Sequence, residues 1–209
     1  MGAGRILKTV SAATLAAALG GCPALASPSV PDTAELDALI RATAARHLVP
    51  PEALLAITLS ESGRTVRGEF RPWPWTLNVA GRGYFYDSQE EACRALTRFM
   101  RTRALKNIDA GVAQTNLGWH GHRFIRSCDA LDPTLNLDAA AGILRDCYLI
   151  RQGSWLDAAA CYHHPRGGSP ARKYRNTVKK HLATLARRQA TPRAPALTDT
   201  PGRTGKEAL

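Results

Sequence analysis

Residues 51–63 are the stretch that most constrains this chain, because their pattern describes a helix that has to be buried. Pro51 suits the first turn of an α-helix, where a backbone N–H would have no partner, and Gly63 marks the end. Large apolar side chains between them leave almost no polar face. The pattern therefore predicts a core helix with one carboxyl group, that of Glu61, in its last turn.

The predicted position of Glu61 favours the protonated acid over the carboxylate. The C-terminal end of a helix carries partial negative charge, and apolar surroundings disfavour an anion. A carboxylic acid that stays protonated near neutral pH can donate a proton to a reacting group. Taken alone, the stretch is equally compatible with a solvated glutamate in an ordinary last turn.

Residues 1–26 are interpreted as a secretory signal peptide. Basic residues precede an alanine-rich apolar run that is too short to span a bilayer, and Ala-Leu-Ala at residues 24–26 has the pattern of a cleavage site. The Leu-Gly-Gly-Cys run at residues 19–22 resembles a lipobox, and cleavage there would leave a lipid anchor on Cys22. The cut after Ala26 is preferred, and both alternatives export the protein, to the periplasm.

Four cysteines follow the preferred cut: Cys93, Cys128, Cys147 and Cys161. An even number in an exported chain predicts disulfides, and Cys128–Cys147 is the expected bridge. Zinc binding is the alternative, since Cys161 is close to His163 and His164, but no paired C-x-x-C spacing supports it. The sequence therefore predicts no metal site.

The formal net charge of +11 falls to +9 when Arg5 and Lys8 are removed with the signal peptide. Such a charge attracts polyanions such as nucleic acid, anionic lipid or the bacterial wall. No helix-turn-helix, aromatic-basic motif or zinc knuckle accompanies it, so no specific nucleic-acid partner is predicted. In an exported chain the charge favours the cell envelope, and a membrane is expected as a partner only if Cys22 is lipidated.

Hydrophobic periodicity predicts a mainly helical chain, with helices at residues 32–47, 51–63, 89–103, 135–152, 155–162 and 170–189. Residues 76–79 and 84–86 flank a glycine turn, which predicts a β-hairpin. Residues 107–116 are expected to form an irregular loop and residues 121–128 a weak helix. Residues 191–209 combine prolines and glycines with few apolar residues, which predicts a disordered tail.

Four short motifs follow one another along the chain: Glu61-Ser62, then Gly111, Gln114 and Asn116 as G-x-x-Q-x-N, then Asn136-Leu137, then Ala160-Cys161-Tyr162. In this order they resemble the SLT-type lytic transglycosylases, a branch of the lysozyme-like superfamily with the hallmarks E-S, G-L-M-Q, N-[LI] and A-Y-N. The resemblance covers about residues 36–185. Residues 72–78, Pro-Trp-Pro-Trp-Thr-Leu-Asn, are further similar to the transglycosylases of conjugative elements and type IV secretion systems.

The resemblance implies an α+β, predominantly α fold: a lysozyme-like transglycosylase domain at residues 27–190 with a β-hairpin-plus-helix insertion at about residues 64–106. It implies non-hydrolytic cleavage of the bond between N-acetylmuramic acid and N-acetylglucosamine in peptidoglycan glycan strands. No metal or organic cofactor is implied. The narrower similarity implies that the enzyme opens the wall for a conjugation, type IV secretion or pilus apparatus.

The resemblance makes Glu61 the single catalytic acid and base, and Asn136 a structural residue at the start of its helix. The other candidate residues are expected to contact substrate: Ser62, Gly111, Gln114, Asn116, Trp119 and Tyr162. Gly111 is expected to let the backbone approach a sugar, and Tyr162 to hydrogen-bond near Glu61. Trp119 is included because it closely follows Gln114.

The sequence departs from the family after Tyr162, where His163 and His164 replace Asn-Ala and leave the contacts of that loop open. We interpret both histidines as polar loop groups. Hydrolytic glycosidases normally need two carboxylates, and Asp87 and Asp109 are the candidates for the second. Either would make the chain a hydrolytic muramidase, although Asp87 more simply ends a strand and Asp109 fixes a turn.

A non-catalytic glycan-binding scaffold of a transfer apparatus is the alternative from another functional class. Four aromatic residues near the predicted hairpin are candidates for stacking on sugar rings or for packing beneath the hairpin: Trp73, Trp75, Tyr84 and Tyr86.

Overall fold

The computed structural model describes residues 32–190. The predicted signal peptide, Cys22 and the predicted tail at residues 191–209 lie outside the described residues. The elements of the described part are α1 (Thr33–Arg46), α2 (Pro51–Ser62), β1 (Arg64–Val66), β2 (Glu69–Arg71), β3 (Thr76–Val79), β4 (Arg82–Phe85), α3 (Gln89–Met100), β5 (Ile108–Ala110), β6 (Thr115–Asn116), α4 (Leu117–His120), α5 (Pro133–Ile150), α6 (Trp155–His163) and α7 (Gly168–Ala190). The predicted α+β, predominantly helical class is confirmed.

Capping residues and a glycine stop set the ends of the main helices. Helix α2 ends just before Gly63, as predicted, and the backbone of Gly63 is extended. The Ser88 side chain accepts a hydrogen bond of 3.2 Å from the Glu91 backbone N–H and caps α3. Asp132 accepts from two backbone N–H groups and starts α5 at Pro133, two residues before the predicted start.

The predicted hairpin is confirmed, since β3 and β4 pair antiparallel with Thr76 opposite Phe85. The prediction of an irregular loop at residues 107–116 is wrong, because β5 pairs with β3 and β6 pairs with β5, which gives the sheet order β4-β3-β5-β6. Ile108 and Ala110 are buried on either side of Asp109, an alternation too short to recognise in the sequence.

Two other local predictions also differ from the structure. Strands β1 and β2 form an unpredicted hairpin, whose turn places Arg67 and Gly68 at positive φ. The weak helix expected at residues 121–128 is replaced by 3₁₀ turns at Gly121–Arg123 and Ser127–Leu131, on either side of an extended Phe124.

The described residues build two hydrophobic cores. The first lies among α1, α2, α5, α6 and α7, with Leu54, Ile57 and Leu144 fully buried. The second lies between the sheet and α3, with Leu77 and Leu96 at its centre. Residues 64–106 share this second core with later segments, because β3 pairs with β5 and the core continues through Leu131.

The four cysteines form disulfides, as predicted, but the expected pairing of Cys128 with Cys147 is wrong. Cys93 of α3 bonds to Cys128, and Cys147 of α5 bonds to Cys161 of α6. Helix α3, which carries Cys93, contacts the 3₁₀ turn that carries Cys128, and α5, which carries Cys147, packs on α6 with its Cys161. Two disulfides are typical of an exported protein in an oxidising environment. Within residues 32–190 no helix is long and apolar enough to cross a membrane.

We expect the double substitution of Cys93 and Cys128 by serine to lower the free energy of unfolding by about 4 kcal/mol, because the bridge closes a loop of 35 residues in the unfolded chain. Urea unfolding of the oxidised proteins measures the difference. Reduction of the double variant should then reveal only the contribution of Cys147–Cys161. An unchanged unfolding midpoint in the oxidised double variant would contradict the expectation.

Candidate functional site

A cleft of about 750 Å³ lies where the helical core meets the sheet. Walls from α2, β3, β5, β6, α4, α5 and α6 enclose it, together with the loop at residues 164–166. Five of the predicted site residues line it: Glu61, Gln114, Asn116, Trp119 and Tyr162. Segments that are distant in the chain thus present their predicted residues to one space.

Glu61 occupies the last turn of the buried helix α2 and faces the cleft. Its side chain is 14% exposed, and its Oε1 atom lies 3.7 Å from Nδ1 of His163. Tyr174 of α7 is a further neighbour, and burial, followed by the Glu61 charge, raises the pKa of Tyr174 well above its ordinary value. One carboxyl group therefore projects from the apolar core into a cavity that can hold a ligand.

Ser62 lies behind the cleft, which corrects its prediction as a substrate contact. It is 2% exposed, and its hydroxyl donates a hydrogen bond of 2.6 Å to the Val112 carbonyl oxygen. The Ser62 hydroxyl oxygen in turn accepts a bond of 3.2 Å from the Trp73 backbone N–H. Ser62 thus joins the end of α2 to two other segments and holds the neighbouring Glu61 in place.

Gly111 is likewise buried away from the cleft, so the prediction that it approaches a sugar is wrong. Its φ angle is +85°, and a Cβ atom there would collide with the Ala130 carbonyl and the Asn136 side chain. The glycine is needed for this close approach and for its left-handed backbone. The prediction identified the requirement for glycine but not the group that approaches it.

The side chain packed against Gly111 is that of Asn136, which is fully buried. Its predicted structural role is confirmed. Its Nδ2 atom donates to the carbonyl oxygens of Ala110 and Ala130, each at 2.9 Å, and its Oδ1 atom accepts from the Ala113 backbone N–H at 2.8 Å. Asn136 thereby fixes the turn between β5 and β6 to the first turn of α5.

Gln114 lies at the end of that turn, with a left-handed φ of +48°. Its Nε2 atom donates to the carbonyl oxygens of Thr76 and Gly111, at 3.0 and 2.8 Å. Both amide hydrogens are used in these bonds, so Oε1 is the polar atom that Gln114 can offer a ligand in the cleft.

Tyr162 closes the cleft from α6. Its hydroxyl donates a hydrogen bond of 2.7 Å to the Ala113 carbonyl oxygen. Burial, followed by the charge of Glu61, raises the pKa of Tyr162 far above its ordinary value, so the hydroxyl stays neutral. As predicted, Tyr162 makes its hydrogen bond near Glu61, with a backbone carbonyl as its partner.

Asn116 organises the side of the cleft that faces Glu61. Its Nδ2 atom donates to Asp109 Oδ1 at 2.8 Å, and its Oδ1 atom accepts from the Gly118 and Trp119 backbone N–H groups at 3.0 and 3.2 Å. The side chain therefore fixes a carboxylate and starts the short helix that carries Trp119. That indole is 68% exposed, an apolar surface at the cleft wall.

Asp109 is a second carboxyl group in the cleft, on β5 rather than in the turn that the sequence indicated. Burial raises the pKa of Asp109, the hydrogen bond from Asn116 opposes this, and the Glu61 charge adds to the rise. Asp87 is exposed beyond β4 and does not line the cleft. The structure thus brings one of the two candidates for a second carboxylate close to Glu61.

His163 is the site residue that the sequence interpretation missed. Besides its 3.7 Å approach to Glu61, its imidazole stacks on the Tyr174 ring, with ring centroids 4.3 Å apart and planes 2° from parallel. The Glu61 carboxylate raises the pKa of His163, and partial burial opposes this rise. Its position next to Tyr162 in the last motif was the signal that could have identified it.

The aromatic residues of the hairpin region do not form a stacking surface in this cleft. Trp73 and Trp75 are buried, with 6% and 2% exposure, and they pack edge to face. Tyr84 and Tyr86 pack against the second core. None of the four predicted stacking candidates lines the cleft, whereas Trp119, predicted as a substrate contact, does.

No group of three or more potential metal ligands occurs within residues 32–190. The zinc alternative for Cys161 is contradicted because its sulfur is bonded to Cys147.

Comparison of the chain with protein-family models, with curated proteins and with solved structures finds no match. The geometry of the cleft is therefore the basis for assigning a function.

Proposed function

We propose that the protein is an exported, periplasmic lytic transglycosylase that cleaves peptidoglycan glycan strands with Glu61 as its acid and base. The observation that carries this proposal is a single glutamate at the end of a buried helix, facing a cleft between helices and a sheet. Gln114, Asn116 and Tyr162, which come from separate motifs, surround the same cleft. The resemblance of the ordered motifs to SLT-type enzymes supplies the substrate class.

In the proposed reaction Glu61 first donates its proton to the glycosidic oxygen between N-acetylmuramic acid and N-acetylglucosamine. The bond between that oxygen and the muramyl anomeric carbon breaks, and the substrate N-acetyl group stabilises the developing cation. The Glu61 carboxylate then accepts the proton of the muramyl 6-hydroxyl group, whose oxygen bonds to the anomeric carbon. A 1,6-anhydro ring forms, no water is consumed, and Glu61 regains its proton.

A hydrolytic muramidase is the second candidate function, and the observation that supports it is the position of Asp109. Asp109 lines the same cleft as Glu61 and is held by Asn116. In a hydrolase it would activate a water molecule or bond to the sugar, as the second carboxylate of a glycosidase does. The two functions share Glu61 as the acid and differ in what attacks the anomeric carbon.

Mass spectrometry of muropeptides released from purified peptidoglycan separates these functions. A transglycosylase leaves products that lack a reducing end and are lighter by one water molecule than hydrolytic products. We expect such anhydro products from the wild type and from an Asp109→Asn variant, which retains the size of the side chain. Reducing-end products that are lost in Asp109→Asn would establish the hydrolase instead.

The net charge and the disulfides support an extracytoplasmic setting for this activity. A positive protein is attracted to the anionic wall, and disulfides persist where the environment is oxidising. The similarity of residues 72–78 to transglycosylases of transfer systems suggests recruitment by a conjugation, type IV secretion or pilus apparatus. A non-catalytic scaffold would bind peptidoglycan in a sedimentation assay and release no muropeptides.

We expect Trp119→Ala to raise the KM for glycan strands by about tenfold and to leave the unfolding midpoint unchanged. The indole is 68% exposed at the cleft, so its removal costs a stacking surface for sugar rings and almost no core packing. Steady-state release of muropeptides measures the effect. Phe85→Ala is the matched control, because Phe85 is also an exposed aromatic residue but lies outside the cleft. Equal KM values for both variants would contradict a role for Trp119.

A further inference from the structure

His163 is an ionisable group whose side chain is held against Glu61. Its Nδ1 atom lies 3.7 Å from Glu61 Oε1, and its side chain is 43% exposed. The parallel stack on Tyr174 of α7 fixes the plane of the imidazole. Because α6 and α7 pack closely, this arrangement belongs to the folded core and not to a loose loop.

The groups around His163 favour its positive form on balance. They come from several elements: Glu61 on α2, Asp109 on β5, Tyr162 on α6, Lys173 and Tyr174 on α7, and His164 and Arg166 in the following loop. The carboxylates of Glu61 and Asp109 both raise the pKa of His163. Lys173, which shares a surface groove with His163, is the opposing charge from α7.

A positive imidazole within ion-pair distance of Glu61 holds that carboxyl group in one orientation at the cleft wall. The attraction between the two groups requires the proton on His163, because a neutral imidazole carries no charge.

We propose that His163 is a positioning residue whose protonated imidazole pairs with Glu61 and holds its carboxyl group against the cleft. This inference rests on the proposed function for its effect on rate, whereas the pairing itself is independent of any substrate. Because Glu61 raises the pKa of His163, the pairing is complete in mildly acidic conditions and is lost as the pH rises through that raised pKa.

The pairing is tested by NMR titration of the histidine rings in the wild type and in Glu61→Gln, with the His163 signal assigned from a His163→Asn variant. We expect the His163 midpoint to fall by about one pH unit in Glu61→Gln, because a carboxylate within ion-pair distance is lost. The His181 ring, which stacks on Phe70, is the internal control and should keep its midpoint. Equal His163 midpoints in the two proteins would overturn the pairing.

The effect on rate is tested by the pH profile of muropeptide release. The wild-type rate should decline as the pH rises through the His163 midpoint, whereas His163→Asn should be slower in mildly acidic conditions and lack this decline, because asparagine carries no charge that could hold Glu61. His122→Asn, at an exposed histidine outside the cleft, should leave the profile unchanged. A decline that stays in place or moves to lower pH in His163→Asn would overturn the proposal.

The two tests separate failure of this inference from failure of the proposed function. Absence of muropeptide release by the wild type at every pH would contradict the proposed function and, with it, the effect on rate. The NMR midpoints would still decide whether His163 and Glu61 are paired.

Discussion

Substitution of Glu61 by glutamine is expected to lower the rate of muropeptide release by at least about 1,000-fold. Glutamine matches glutamate in size and polarity but cannot donate a proton to the leaving oxygen, and general acid catalysis contributes about 100- to 10,000-fold. The single carboxylate would also be lost as the base of the second step. Release of soluble products from purified peptidoglycan, followed over time, measures the loss.

Binding and stability should survive this substitution. Glu61 is 14% exposed at the cleft and is not part of either hydrophobic core, so the Glu61→Gln variant should sediment with peptidoglycan and unfold at the wild-type midpoint. Asp109→Asn is the matched control, as another carboxylate-to-amide change in the cleft. Under the transglycosylase proposal it keeps most of its activity. A Glu61→Gln variant within about tenfold of the wild-type rate would exclude Glu61 as the acid.

The parts of this structure that the sequence predicts correctly are those fixed by local chemistry. Pro51, an apolar run and Gly63 define α2 without reference to the rest of the chain. The Ser88 cap and the glycine turn between β3 and β4 are local in the same sense. For this reason the position of Glu61 at the end of a buried helix could be predicted before its surroundings were known.

The parts that the sequence does not predict depend on pairing between distant segments. Strands β5 and β6 are three and two residues long and exist because β3 lies beside β5 and β5 beside β6. The disulfide pairing depends on contacts between separate segments, since α3 meets the turn that carries Cys128 and α5 packs on α6. His163 looks like an ordinary loop histidine until α7 brings Tyr174 beneath its ring.

The motif glycine and asparagine illustrate an intermediate case. The pattern correctly marks Gly111 and Asn136 as special, but only the structure shows that they contact each other. A motif residue can therefore be required for the site without touching a ligand. Ser62 is a third example, since its bonds to other segments hold α2 next to the cleft.

Substitution of Asn136 by alanine is expected to lower the free energy of unfolding by about 4 kcal/mol. The change would leave the Ala110 and Ala130 carbonyl oxygens and the Ala113 N–H without partners in a fully buried environment, and each such group costs about 1–3 kcal/mol. Urea unfolding measures the loss. Asn78→Ala is the matched control. The Asn78 side chain accepts one bond from the exposed Gly81 N–H, so this substitution should cost about 1 kcal/mol.

The Asn136→Ala variant should also lose activity at temperatures where it remains folded. Asn136 holds the turn whose carbonyl oxygens at Val112 and Ala113 accept the bonds from Ser62 and Tyr162. If the turn moves, the end of α2 and the hydroxyl of Tyr162 lose a shared support, and Glu61 is no longer held against the cleft. Activity measured well below the unfolding midpoint separates this effect from unfolding. A folded Asn136→Ala variant with wild-type activity would show that Asn136 is not needed to position Glu61.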